Sequence, residues 1–230
     1  MPTIIDAEFG EIIVKRHALA SRVSLRMAPD GRLRISLPRY APMLAAKTLI
    51  ASSRKQIRTL LSEHHAKFSY TTNQQIGKSH HLRIEQGGDT PEIKLSGTHI
   101  IAMIPEHDDI TAPSIQQLIR TKVLAALRKE AKGYLPRRLK FLAQEHGFSY
   151  DQVKLTHASS RWGSCSSKGT ISLNIALMNL PFELLDYVLI HELCHTRQMN
   201  HSEQFWREVG AIDPQYKQHR TTLKNYTPHI

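Results

Sequence analysis

From Phe182 to Ile190 the chain is apolar on nearly every side of a helix, through Phe182, Leu184, Leu185, Val188, Leu189 and Ile190, so the segment belongs in an interior. Pro181 fits its first turn, where a missing N–H does no harm. The helix then runs into His191-Glu192-Leu193-Cys194-His195, and polar groups on so oily a helix are costly to bury unless they find partners. Histidines four residues apart project from one helical face, where their ring nitrogens can meet one metal ion at about 2.0–2.1 Å. Glu192 lies about 100° round the helix from His191, which suits contact with a water rather than with the ion. His201 follows after five intervening residues, past a helix stop near Met199-Asn200, and a chain reversal there can return it as a third ligand. Three protein nitrogens leave a tetrahedral position open, the pattern of a catalytic zinc rather than a structural one. Glu192 is then the general base that takes a proton from the attacking water, help typically worth about 10²- to 10⁴-fold. Because the chain has 14 histidines, chance spacing is the competing explanation, and the interior helix with a third histidine beyond it argues against chance.

The remainder of the chain predicts an α+β protein. Val23, Leu25 and Met27, then Leu33, Ile35 and Leu37, alternate with polar residues around Asp30-Gly31, a hairpin with one oily face and one face carrying Arg22, Arg26, Arg32 and Arg34. An amphipathic helix is expected from Pro42 to about Lys67, then strands around Leu82 to Ile84, at Ile93 and from Ile100 to Ile104. Polar residues from Glu106 to Pro113 suggest a boundary, with a β-rich part at 1–112 and a second part at 113–230. A long helix capped by Ser114 should be kinked or split by Gly133 and Pro136. Two strands, Val153 to Trp162 and Thr170 to Leu177, should flank a loop from Gly163 to Gly169. No internal repeat is visible in the sequence.

The net charge of +11 is unevenly spread. From Lys15 to Arg58 there are eleven Lys or Arg and one acid, and from Arg120 to Lys140 eight and one. Such segments suit a polyanion, a nucleotide or nucleic acid, or else form a solvated face. No run approaches the ~20 apolar residues of a membrane helix, and the opening residues lack a secretory pattern, so a cytoplasmic protein with no membrane partner is expected. Two cysteines, Cys165 and Cys194, read as buried free thiols.

Arg161-Trp162-Gly163-Ser164-Cys165-Ser166-Ser167, Ile171-Ser172-Leu173-Asn174, the His191–His195 run, Asn200-His201-Ser202 and Phe205-Trp206 together resemble the YgjP-like metallopeptidase family, related to the SprT-like and Wss-type zincins. Pro29-Asp30-Gly31-Arg32-Leu33-Arg34-Ile35 extends the resemblance to the family's opening hairpin. The resemblance implies a zincin-like catalytic domain behind an N-terminal β-rich subdomain, Zn2+ on His191, His195 and His201, and Glu192 as the catalytic residue. Cys194 stands where relatives often carry a small apolar residue. Metzincins share the spacing to the third histidine but place glycine where this chain has Gln198. The strand Ser159 to Trp162 resembles the zincin edge strand that pairs with an extended peptide, while Trp162 itself reads as core. The substrate expected is a peptide. A nucleoside triphosphate is the alternative, since the family also carries a UTP pyrophosphatase label. A DNA-associated protease, or a nucleic-acid-binding module using the basic N-terminal segment, is the third reading. Oxyanion stabilisation could come from Arg197, Tyr216, His219 or Arg220.

Overall fold

The computed structural model describes residues 2–28, 32–158, 160–228 and 230, without the side chains of 63–68. It is a mixed α+β protein in two compact units, Met1–Ser69 and Tyr70–Ile230.

In the first unit, β1 (Thr3–Asp6), β2 (Gly10–His17), β3 (Ser24–Met27) and β4 (Leu33–Pro38) form a sheet in the order β1-β2-β4-β3. The central pair is parallel and the outer pairs antiparallel. The alternation of Leu33, Ile35 and Leu37 puts all three into the core with Ile12 and Val14. The predicted pairing of β3 with β4 is present, and Arg26 stands opposite Arg34 on it; the turn residues Asp30 and Gly31, with Pro29, lie outside the described residues. The expected single helix is two, α1 (Met43–Ser52) and α2 (Arg54–Phe68), because Ser53 leaves helical geometry while its N–H bonds back to Leu49 and Ile50. Part of the positive excess is answered locally: Arg32 pairs with Glu11, Arg54 with Asp6 and Glu8, and Arg58 with Glu8, all acids that precede the basic segment.

In the second unit β5 (Gln74–Ile76), β6 (His80–Gln86), β7 (Glu92–Ser96) and β8 (His99–Ile104) repeat the same arrangement, β5-β6-β8-β7 with a parallel central pair. Topology therefore repeats where the sequence does not. This sheet buries Leu82, Ile93, Ile100, Ala102 and Ile104 in one core with Ile115, Ile119, Val123 and Leu127 of α3 (Pro113–Glu145). That shared core corrects the expected division at 112/113, since residues 70–112 pack as part of the unit that follows them. α3 starts at Pro113 without a cap from Ser114, and it is not split at Gly133 or Pro136. Lys132 and Gly133 are exposed there, so water can satisfy a carbonyl that proline leaves unbonded, while Leu135, Leu139 and Leu142 remain buried.

A three-stranded sheet follows, β9 (Gln152–Thr156), β10 (Gly163–Cys165) and β11 (Thr170–Asn174), in the order β10-β11-β9. The expected loop at 163–169 thus begins with a strand, and the strand expected up to Trp162 ends at Thr156. Asn174 explains the irregular path between them: its side-chain amide donates to the carbonyls of Ala158 at 2.6 Å and Arg161 at 3.0 Å. A 3-10 turn (Ile175–Asn179) leads to α4 (Phe182–Cys194), α5 (Glu203–Ile212) and α6 (Tyr216–Leu223). No helix is long and apolar enough to cross a membrane among the described residues.

Glu130 of α3 fastens the turn before β6. It accepts hydrogen bonds from the N–H groups of Lys78 (2.7 Å) and Ser79 (3.0 Å), the Ser79 hydroxyl (2.7 Å) and His80 Nδ1 (2.5 Å). Burial opposes its ionisation, yet these donors outweigh burial and hold its pKa below the ordinary 4.5. The folded-state pKa is depressed, so the stabilisation is present above the unfolded value and is lost as pH falls through the folded one. Glu130→Gln should lower unfolding stability by about 1–3 kcal/mol near pH 7. In urea titrations the gap from wild type should narrow below pH 4.5, and a gap independent of pH would show that the carboxylate charge is not what holds the turn.

Candidate metal centre

α4 is held by burial of Leu184, Leu185, Tyr187, Val188, Leu189, Ile190 and Leu193, each apolar side chain of leucine size contributing about 1.5–3 kcal/mol. Its end is not free to fray. Thr196 and Arg197 return backbone N–H bonds to Leu193 and Cys194, and Gln198 also bonds Cys194. Arg197 fixes the reversal by pairing with Glu208 at 2.6 Å, donating to the carbonyl of Gly147 at 2.5 Å and lying 4.0 Å over the Phe148 ring. Ser202 then caps α5 by accepting from the N–H of Phe205. His201 sits immediately before that cap and is turned back toward α4.

The three imidazoles converge. His191 Nε2 lies 3.2 Å from His195 Nε2 and 3.1 Å from His201 Nε2, with ligand atoms of all three within 4.8 Å of one another. A tetrahedral ion with ligand bonds of about 2.0–2.1 Å needs its nitrogens about 3.3 Å apart. His195 Nδ1 is 2.9 Å from the carbonyl of Gln198, which can only accept, so Nδ1 carries the proton and Nε2 carries the lone pair. Burial, followed by the charges of His195, His201 and Arg220, pushes the His191 pKa down to about 3, and burial with His195 and Arg220 lowers that of His201. Three imidazole Nε2 atoms gathered this closely face a common point, a donor set that suits a divalent cation. Phe205, fully buried, packs against all three rings at centroid distances of 4.5 to 5.0 Å. Trp206 stacks on His201.

Glu192 points elsewhere on the helix, 5% exposed, and its Oε2 has no hydrogen-bond partner among the described residues. Burial raises its pKa to about 8, with Arg161 acting in the opposite direction. Its neighbour is Gly163 of β10, where an added Cβ would stand 2.7 Å from Glu192 Cγ and Oε1. The close approach of strand to carboxylate therefore needs glycine. Cys194 is fully buried and burial pushes its thiol up to about 12, while Cys165 is half-buried; both are free thiols. Trp162 is partly buried against the core.

All three predicted histidines come together, and Glu192 lies beside them without joining the cluster. Sequence reading did not single out Gly163 as the wall behind Glu192, or Tyr187, whose ring centroid is 6.0 Å from that of His191. The four-residue spacing from Tyr187 to His191 was the available signal. Nor did it find the Asp213–His219 pair, joined at 2.8 Å, since the two meet only through the turn between α5 and α6.

Three convergent imidazoles with a buried carboxylate alongside make a centre of the kind used by metal-dependent hydrolases. Residues 21–226 match the family described as YgjP-like, metallopeptidase domain, and the chain belongs to that family of metal-dependent peptidases. A solved structure, that of the metallopeptidase zymogen of Pyrococcus abyssi abylysin, is 30% identical over 39% of this chain and 92% of its own, with a TM-score of 0.36. A search of the curated proteins finds no match.

Gly163→Ala should displace Glu192 while leaving the imidazoles in place. Peptide hydrolysis is expected to fall at least about 10²-fold with zinc content unchanged on metal analysis; full activity would mean that Glu192 need not stand where it does.

Proposed function

We propose that this chain is a zinc peptidase with a zincin-like catalytic domain, in which His191, His195 and His201 hold the ion and Glu192 is the general base. The observation that carries this reading is the meeting of three Nε2 atoms beside a buried carboxylate that has an unsatisfied oxygen. A divalent ion held there supplies a Lewis acid toward water and a substrate carbonyl.

The chain's own groups do the rest. Glu192 accepts the proton of the attacking water and returns it to the leaving amine. Among the described residues β10 has β11 as its only sheet neighbour, so its other edge can receive an extended peptide as an added strand next to Glu192. For developing negative charge, Arg197 is already engaged with Glu208 and His219 with Asp213, and Tyr216 is stacked on Trp206. Arg220 lies 4.6 Å over Trp206 with no carboxylate partner among the described residues, and is the group assigned to this role.

The test compares wild type, Glu192→Gln and Arg220→Gln at equal zinc content on casein-like peptides and on nucleoside triphosphates. Peptide turnover should fall about 10²- to 10⁴-fold in Glu192→Gln and about 10- to 10²-fold in Arg220→Gln. Hydrolysis of triphosphates but not peptides by the wild type would replace the peptidase reading, and an active Glu192→Gln would remove the base.

A further inference from the structure

Beside the metal centre, α4 and the turn 212–215 before α6 line an open cavity of about 370 Å³. One helical face of α4 lines it with Glu183, Asp186, Tyr187 and Ile190, and Asp213 and His219 close the other side. In a chain of net charge +11 this is an unusually acidic hollow.

Ile190, Ile212 and Pro214 make the apolar part of the lining, and three carboxylates, Glu183, Asp186 and Asp213, dominate its polar part. Asp186 is answered by Arg138, at 2.9 and 2.6 Å, but the exposed Glu183 carboxylate has no hydrogen-bond or ion-pair partner among the described residues. Asp213 is buried and accepts from His219 Nδ1 at 2.8 Å and from the N–H of Gln215 at 3.0 Å. With Nδ1 turned to Asp213, Nε2 of His219 has no partner among the described residues. Tyr187 is 4% exposed, and its hydroxyl makes no hydrogen bond to any described residue. With no protein partner, that hydroxyl is open to solvent or to a ligand at the cavity wall. Lys78 and Arg220 are not among the lining residues: Lys78, which feels the charges of Glu183 and Asp186, donates to the Leu180 carbonyl and lies over Phe182, and Arg220 lies over Trp206.

We propose that this cavity is a specificity pocket for a basic side chain, lysine or arginine, of the peptide held at the metal centre. An alkyl stem fits against Ile190, while a charged head rich in donors meets Glu183, Asp213 and the Tyr187 hydroxyl. An apolar side chain would leave those acceptors unpaired, and an acidic one would be repelled by Glu183. Tyr187 stands one helical turn before His191, so a side chain seated here belongs to a residue close to the bond that is cut.

The assignment rests on the peptidase reading, and two measurements separate their failures. Quenched fluorescent peptides differing at single positions on either side of the scissile bond should be cleaved at least about tenfold faster, by kcat/KM, with arginine or lysine than with citrulline, leucine or glutamate at one position. In Glu183→Lys the ratio of arginine to leucine should collapse to near one. Independently of turnover, zinc-loaded Glu192→Gln protein titrated by NMR should bind Nα-acetyl-arginine amide about tenfold more tightly than the citrulline amide. Glu183→Lys and Tyr187→Phe should each weaken that binding. Cleavage indifferent to charge, with arginine amide binding untouched by Glu183→Lys, would overturn the pocket. If no peptide is cut, the peptidase reading fails while the amide titration still decides whether the cavity takes a basic group.

Discussion

Placing His191, Glu192 and His195 on a helix whose other positions are oily carries a desolvation cost, and the surrounding structure is organised around offsetting it. Gln198 turns back to accept from His195, Arg197 ties the reversal to Glu208 and to the end of α3, and the reversal delivers His201 onto the same point. What stays unsatisfied is informative. His191 Nδ1 and Glu192 Oε2, on successive residues of α4, have no partner among the described residues.

Apolar packing supplies the rigidity. Phe205 contacts all three imidazoles from α5, so the ring that fills the core is also the floor of the centre. On the other side, Gly163 lets β10 come against the carboxylate more closely than any other residue would permit. Helix, strand and reversal thus each bring one surface to a small volume, which is how a loose metal motif becomes a preorganised site.

How far the sequence could be read follows from the range of the interactions. The His191–His195 pair was legible because four-residue spacing is a local property of a helix, and the pairing of β3 with β4 because alternation is a local property of a strand. The short strands β1, β5 and β10 carried too few residues for alternation to show. The division of the chain was misplaced because a polar stretch, Glu106 to Pro113, looks like a linker, whereas a shared core decides what packs together. The duplicated strand order was invisible for a related reason: topology is repeated without repeated residues. The acidic cavity escaped as well, since Glu183, Tyr187, Asp213 and His219 come from three separate segments and the charge pattern of the whole chain points the other way.

The central proposition is that three imidazoles and no thiol surround one ion with a position left for solvent. Zinc-edge X-ray absorption on protein carrying one equivalent of zinc tests it most directly. The account predicts three imidazole nitrogens and one further light atom at about 2.0–2.1 Å; a sulfur shell at about 2.3 Å, or fewer than three imidazoles, would contradict it.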